Sequence, residues 1–133
     1  MTIDYLKTQK IIHWLMAIII MLDLNVAQKF GGNMELWDRL ESRSDHATAG
    51  MIVTFLFILR IILRYFYGAP KLPSTMPAWQ VASAKLGHYS LYFLMAGLII
   101  TGISMASFAS DPIIVFGIDL AFAAHNQNIF FII

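Results

Sequence analysis

Residues 46–66, HATAGMIVTFLFILRIILRYF, decide the fold of this chain. Besides His46, Arg60 and Arg64 are the only acidic or basic side chains in the stretch, and its apolar residues run continuously instead of alternating. A run of about 20 such residues is long enough to cross a bilayer as a helix. Because backbone groups in lipid must be hydrogen-bonded, only helices and closed barrels span membranes, and a continuous run favours the helix. The stretch predicts a transmembrane helix.

Two further apolar runs, at about residues 11–27 and 86–108, predict two more spans. Residues 109–128 read as an apolar, partly irregular connection, and a fourth apolar run begins at about residue 129. We therefore predict a single all-α membrane domain over residues 1–133, a helical bundle of three complete transmembrane helices and the start of a fourth. Because the chain stops one or two turns into that last run, we expect it to be a truncated form of a four-helix bundle.

The composition agrees with a lipid environment. Of the 133 residues, 59% are hydrophobic and 13% are charged, whereas about a quarter are charged in soluble domains. The net charge of +1 gives no indication of nucleic-acid binding. Cysteine is absent, which excludes disulfides, thiolate zinc sites, iron–sulfur clusters and c-type haem attachment. A metal cofactor would have to be held by His, Met or carboxylate.

The distribution of Lys and Arg predicts the orientation. The N-terminal flank and the connection between the second and third spans carry Lys7, Lys10, Arg60, Arg64, Lys71 and Lys85. The connection between the first two spans carries Lys29, Arg39 and Arg43. By the positive-inside rule the first group is cytoplasmic. We expect a multi-pass protein of the bacterial inner membrane with a cytoplasmic N-terminus.

Each predicted span has a histidine near its starting end. His13 and His88 fall on the predicted cytoplasmic side, His46 falls on the opposite side, and His125 lies in the last connection. Polar residues in a span are costly and usually mark a function, although terminal positions cost less and are also compatible with a structural role. A histidine in all three spans favours cofactor binding.

Neighbouring residues support this interpretation. Gly50 lies four residues after His46, on the same helix face, so a planar macrocycle could approach the backbone there; small residues also serve ordinary helix packing. Arg60 could bind a haem propionate, or it could snorkel with Arg64 towards the interface. Asp23 could pair with a cation, line a proton or quinone path, or lie in the headgroup region.

In order along the chain, four sets of residues form a pattern: HW at His13, H-x3-G at His46, R-x3-R at Arg60, and GH-x3-Y at His88. With the segments KIIHWLMAIIIMLDL, DHATAGMIVTFLFILRIILRYFYGAP, LPSTMPAW, LGHYSLYFLMAGLIITG and FGIDLAF, this pattern resembles the bacterial cytochrome b561 family of di-haem membrane cytochromes. The resemblance covers essentially the whole chain.

The resemblance implies a four-helix protein that carries two b haems, one near each membrane face, and transfers single electrons between the quinone pool and a redox partner. It implies that His13 and His46 are axial ligands of the two haem irons and that their opposing ligands lie on a fourth helix. His88 matches a family histidine that we expect to neighbour a haem. Geometry alone would also allow His13 to pair with His88 and His46 with His125.

Other interpretations remain open at this point. The chain could be a haem-free or haem-deficient membrane fragment, or an anchor subunit that docks a soluble dehydrogenase or hydrogenase. Whether it acts as a quinone-linked oxidoreductase is uncertain from sequence. The expected partners are the lipid bilayer, quinone and a redox protein, and a homodimer is compatible with the sequence. No hydrolase triad or phosphate-binding loop is present.

Overall fold

The computed structural model describes residues 7–29 and 32–121, which are mostly helical. Helix α1 spans Lys7–Gln28, α2 spans Leu36–Tyr67 and α3 spans Ala78–Ser107. All three are long and apolar enough to cross a membrane. The predicted helical membrane bundle is confirmed for these three spans. Residues 122–128 of the predicted last connection, and the fourth helix predicted from residue 129, lie outside the described residues.

Each helix begins earlier than the apolar run that predicted it. The largest difference is in α2, which starts at Leu36 instead of residue 46. Its 32 residues give a length of about 48 Å, whereas the hydrocarbon core of a bilayer is about 30 Å thick. One end of α2 therefore extends into water, where charges of both signs are well solvated. The apolar run marks only the part of the helix that lies in lipid.

Helix α2 is the centre of the bundle and packs against both α1 and α3. The core consists of five buried side chains from α1 and α2 and a partly buried layer from α3. They are Ile12, Met16, Val53, Leu56 and Phe57, covered by Tyr92, Met95, Ala96 and Ile99. Most other apolar side chains of α3 are exposed, Phe93 by 79%. These side chains face lipid.

The N-terminal end of α1 is fixed to the C-terminal end of α2 by one buried side chain. Gln9 donates hydrogen bonds from Nε2 to the carbonyl oxygens of Leu63, at 3.2 Å, and Gly68, at 3.3 Å. Gly68 ends α2 with a positive φ of 67°, a conformation that glycine adopts without strain. The two helices are therefore antiparallel. We call this end of the bundle the His13 end and the opposite end the His46 end.

A short antiparallel hairpin follows α3 at the His46 end. Strands β1 (Ile114–Val115) and β2 (Ile118–Asp119) pair directly. The two residues between them, Phe116 and Gly117, have positive φ angles of 49° and 79°. Two successive positive φ angles define a type I′ turn, which suits the twist of a hairpin. The sequence analysis predicted an irregular connection here and did not predict the hairpin.

The hairpin region is attached to the water-exposed part of α2. Arg43 forms an ion pair with Asp111 at 3.2 Å, and the backbone N–H of Ile114 donates to Ser44 Oγ at 3.3 Å. Val115 is 3% exposed and Ala121 is fully buried. The extended start of α2 therefore supports the connection that closes the His46 end.

Candidate functional site

A cavity of about 190 Å³ lies at the His13 end. It brings together three residues that the sequence analysis selected, one from each helix: His13, Arg60 and His88. Among the described residues, its lining is Gln9, Lys10, His13, Arg60, Arg64, His88 and Tyr92. His13 lies close enough to Arg60 and His88 to interact electrostatically with both. The fold thus assembles one site from residues that are far apart in the sequence.

Local structure positions the histidines of this cavity. His13 lies one turn after Gln9 on α1, so the hydrogen bonds from Gln9 to α2 also fix the height of His13 against that helix. His88 Nδ1–H donates to the carbonyl oxygen of Ala84 at 2.7 Å. Because a carbonyl can only accept, Nε2 of the neutral His88 ring carries the lone pair. That nitrogen can bind a metal or accept a hydrogen bond.

The cavity is strongly basic. Lys10, Arg60 and Arg64 contribute cations, and none of the lining residues that the structure describes is acidic. Arg60 is partly buried, and no ion pair joins it to a carboxylate in the described ranges. A charged side chain within a membrane-spanning helix needs a partner of opposite charge. The arrangement is therefore suited to an anionic group such as a carboxylate, which Arg binds with charge-assisted hydrogen bonds.

Tyr92 is a cavity residue whose role the sequence did not reveal. Its hydroxyl is buried and has no hydrogen-bond partner within the described residues. Its ring packs against Phe57, with centroids 6.0 Å apart. A buried hydroxyl without a partner costs about 1–3 kcal/mol, so the group is available to a ligand in the cavity. Its place in the GH-x3-Y pattern was the one sequence signal for Tyr92. Gln9, Lys10 and Tyr92 had no predicted role in a cofactor site.

His46 is not part of this cavity and lies at the other end of the bundle. Its Nδ1 is 2.9 Å from both carboxylate oxygens of Asp23, which lies on α1. The His46 side chain is 46% exposed, whereas that of Asp23 is 17% exposed. The described helices therefore separate His46 from His13, as the sequence predicted. The remaining histidine, His125, lies outside the described residues.

The helix surface beside His46 is open. Gly50 lies one turn further along α2, and a Cβ atom built on it would meet nothing within 4 Å. No helix in the described part of the chain therefore packs against Gly50. The absence of a side chain leaves room for a flat group to approach the backbone, next to the imidazole of His46.

A model of the prokaryotic cytochrome b561 family matches residues 4–133. The chain belongs to the prokaryotic cytochrome b561 family. It is also 27% identical to cytochrome b561 homolog 1 of Escherichia coli K12 over 128 residues, which are 92% of this chain and 71% of that protein. The predicted family is confirmed. As a cytochrome b561 family member, the chain is a multi-pass bacterial membrane protein that transfers electrons through haem b.

The residues at both ends fit haem. The macrocycle provides four ligands to the iron, so the protein needs to supply only axial ones. Within the described ranges no three or more His, Cys, Asp or Glu side chains cluster as they would around a bare ion. At the His13 end, the cations, imidazoles and unsatisfied hydroxyl suit the acidic edge of haem. The cavity of about 190 Å³ is smaller than the 300–1,000 Å³ typical of ligand sites, so most of a macrocycle would extend beyond it.

Proposed function

We propose that this cytochrome b561 family member transfers single electrons between the quinone pool and a redox partner through two b haems, one at each end of the bundle. The observation that carries the proposal is the division of the histidines between two ends, with His13 and Arg60 in one basic cavity and His46 paired with Asp23 at the other. Along α2, Arg60 and His46 are 14 residues apart, or about 21 Å. Two redox levels at these heights would bridge most of the hydrocarbon core.

At the His13 end, the imidazole of His13 would hold the haem iron. Arg60, with Arg64 and Lys10 beside it, would bind the carboxylates of the haem edge, and the Tyr92 hydroxyl would donate a hydrogen bond to an acceptor there. His88 would neighbour the cofactor, with its Nδ1–H donated to the Ala84 carbonyl. These roles follow from the charge of the cavity and from the buried hydroxyl without a partner.

At the His46 end, the imidazole of His46 would hold the haem iron, and Gly50 would provide the surface on which the ring packs. Haem would supply a one-electron couple at each end. The chain's own contribution is to orient the imidazoles, to exclude water and to balance charge. We expect the opposing histidine ligands to lie on a fourth helix.

The proposed orientation puts the N-terminus and the His13 cavity on the cytoplasmic side of the inner membrane. It follows from the excess of Lys and Arg at that end, where the cavity alone holds Lys10, Arg60 and Arg64. Quinone would exchange electrons at one haem from within the bilayer, and the redox partner at the other. Labelling of single cysteines introduced at Gln28 and Lys71 in intact cells would test this orientation, because only the outward residue should react with an impermeant reagent.

Histidine variants test the haem assignment. We expect His13→Ala and His46→Ala each to lose one of two haems per chain, because each removes one axial ligand. His88→Ala should retain both, and so should His125→Ala. Haem content per purified chain and the low-spin signal of the oxidised protein would be measured in each case. Loss of a haem in His88→Ala or His125→Ala would instead assign the opposing ligand to that residue, and an unchanged content in His13→Ala or His46→Ala would contradict the proposal.

A further inference from the structure

The carboxylate of Asp23 is held between α1 and α2 in contact with His46. It is the less exposed partner of the two, with 17% of its side chain accessible against 46% for His46. Both of its oxygens are 2.9 Å from the same nitrogen, Nδ1. An acidic side chain near a membrane span is costly unless it is paired, and the contact with His46 supplies that partner.

The direction of this hydrogen bond fixes the form of the imidazole. An ionised carboxylate can only accept hydrogen bonds, so His46 Nδ1 must carry the proton. In the neutral ring the lone pair then resides on Nε2, which is the nitrogen with the electron pair that a metal can bind. A carboxylate that accepts from the second nitrogen of a ligating histidine also fixes the ring orientation and raises its basicity.

We propose that Asp23 is a positioning residue for His46: it holds the imidazole in the Nδ1–H form, orients Nε2 for the haem iron, and lowers the reduction potential of that haem. The inference rests on the proposed function, because it requires His46 to be an axial ligand. A more basic imidazole stabilises the oxidised iron more than the reduced iron. The two haems would then differ in potential, since the described residues that line the cavity of His13 and His88 include no carboxylate.

The contacts at the two ends of α1 distinguish this role from simple helix attachment. At the His13 end, Gln9 joins α1 to α2 through backbone carbonyls and leaves the imidazole of His13 out of the contact. At the His46 end, the contact between the same helices passes through the ring of the histidine itself. A second carboxylate at that end, Asp111, pairs with Arg43 instead. Asp111 therefore provides a matched control for the loss of one negative charge.

Redox titration of the full chain in membranes tests the proposal. We expect Asp23→Asn to favour reduction of the His46-end haem by about tenfold, which is roughly 59 mV for one electron, and to leave the other haem unchanged. Asp111→Asn should leave both potentials unchanged. The His46-end haem is identified as the one that His46→Ala removes. If His46→Ala keeps both haems, the site assignment and this inference both fail. If His46→Ala removes one haem but Asp23→Asn causes no shift, or only the shift seen in Asp111→Asn, the positioning role alone is refuted.

A second measurement does not depend on haem. Nitrogen NMR of histidine-labelled, haem-free chain at alkaline pH reports which ring nitrogen carries the proton. We expect the Nδ1–H form for His46 in the native sequence and the Nε2–H form in Asp23→Leu, which lacks the acceptor. The same form of His46 in both proteins would overturn the proposal. This result stands even if Asp23→Asn fails to assemble with haem, because the measurement uses haem-free chain.

Discussion

Replacing Gly50 with leucine should affect haem binding and the stability of the helices in opposite ways. Gly50 lies one turn after His46, and nothing is found within 4 Å of the Cβ position. The first carbon of a side chain at this position therefore meets no steric obstacle among the described residues. Because glycine in a helix interior is about 1 kcal/mol less favourable than good helix formers, the haem-free helix bundle should be equally stable or slightly more stable after the change.

The haem at the His46 end should respond in the opposite way. A flat ring packed on the backbone at Gly50 approaches its carbon atoms to about 3.5–4.0 Å, and the four added carbons of leucine would occupy that space. We expect complete loss of this haem and hence of half of the b-type absorbance of a two-haem protein. Gly50→Ala, which adds one methyl group, should cause a smaller loss.

Gly97 provides the matched control. It also lies within a helix, and a Cβ atom there would meet nothing within 4 Å. Each glycine carbonyl accepts a hydrogen bond from a threonine one turn later, from Thr54 at 2.7 Å for Gly50 and from Thr101 at 2.8 Å for Gly97. Gly97→Leu should keep both haems.

The assay combines haem content per purified chain with thermal unfolding of haem-free protein in detergent. Haem-free protein is needed because a bound ligand itself raises the unfolding temperature. A Gly50→Leu chain that folds and retains its full haem content would show that the macrocycle does not lie against Gly50. A large fall in the stability of the haem-free chain would contradict the open space beside that residue.

Three further changes test other parts of the structure. Gln9→Leu removes two hydrogen bonds to α2 and should lower the free energy of unfolding by about 1–3 kcal/mol, measured by thermal unfolding in detergent. The control Gln28→Leu, at the exposed end of α1, should have no effect. Equal stabilities of the two variants would contradict the attachment at the His13 end. Arg60→Gln removes a charge-assisted interaction of about 1.5–3 kcal/mol and should weaken haem retention at the His13 end by roughly tenfold or more. Haem transfer to an acceptor protein measures this retention, and the control Lys71→Gln should leave it unchanged. Gly117→Val places a branched residue at a φ of 79° and should destabilise the hairpin by about 1–2 kcal/mol. The expected result is faster amide exchange at residues 113–121, with exchange in the helices unchanged. Unaltered exchange at residues 113–121 would contradict the turn assignment.

The sequence predicted the spans because their signal is strong and local. A continuous apolar run of this length crosses lipid as a helix. Residues 46–66 and the two similar runs therefore predicted helices that the structure contains. The start of α2 at Leu36 was not predicted, since a polar helix in water has no apolar run to mark it. The hairpin was missed because Phe116-Gly117 is not one of the strong turn dipeptides, and its turn depends on two positive φ angles.

The site was predictable in type but not in detail. A histidine in each span indicated cofactor binding, and the separation of His13 from His46 followed from the order of the spans. The partners required tertiary structure. Asp23 had three interpretations in the sequence, and only the packing of α1 on α2 brings it to 2.9 Å from His46. Nothing in the sequence around Gln9 distinguishes it from an ordinary polar residue near a span end.

The central claim is that His13 and His46 hold haem b at the two ends of this bundle. The most direct test is a dithionite-reduced minus oxidised absorbance spectrum of membranes that contain the chain, recorded beside the His13→Ala/His46→Ala double variant and beside a chain continued through a fourth helix of the family. We expect a b-type α band in membranes with native histidines, strongest in the continued chain, and none in the double variant. No b-type band in either native chain, or an undiminished band in the double variant, would contradict this claim.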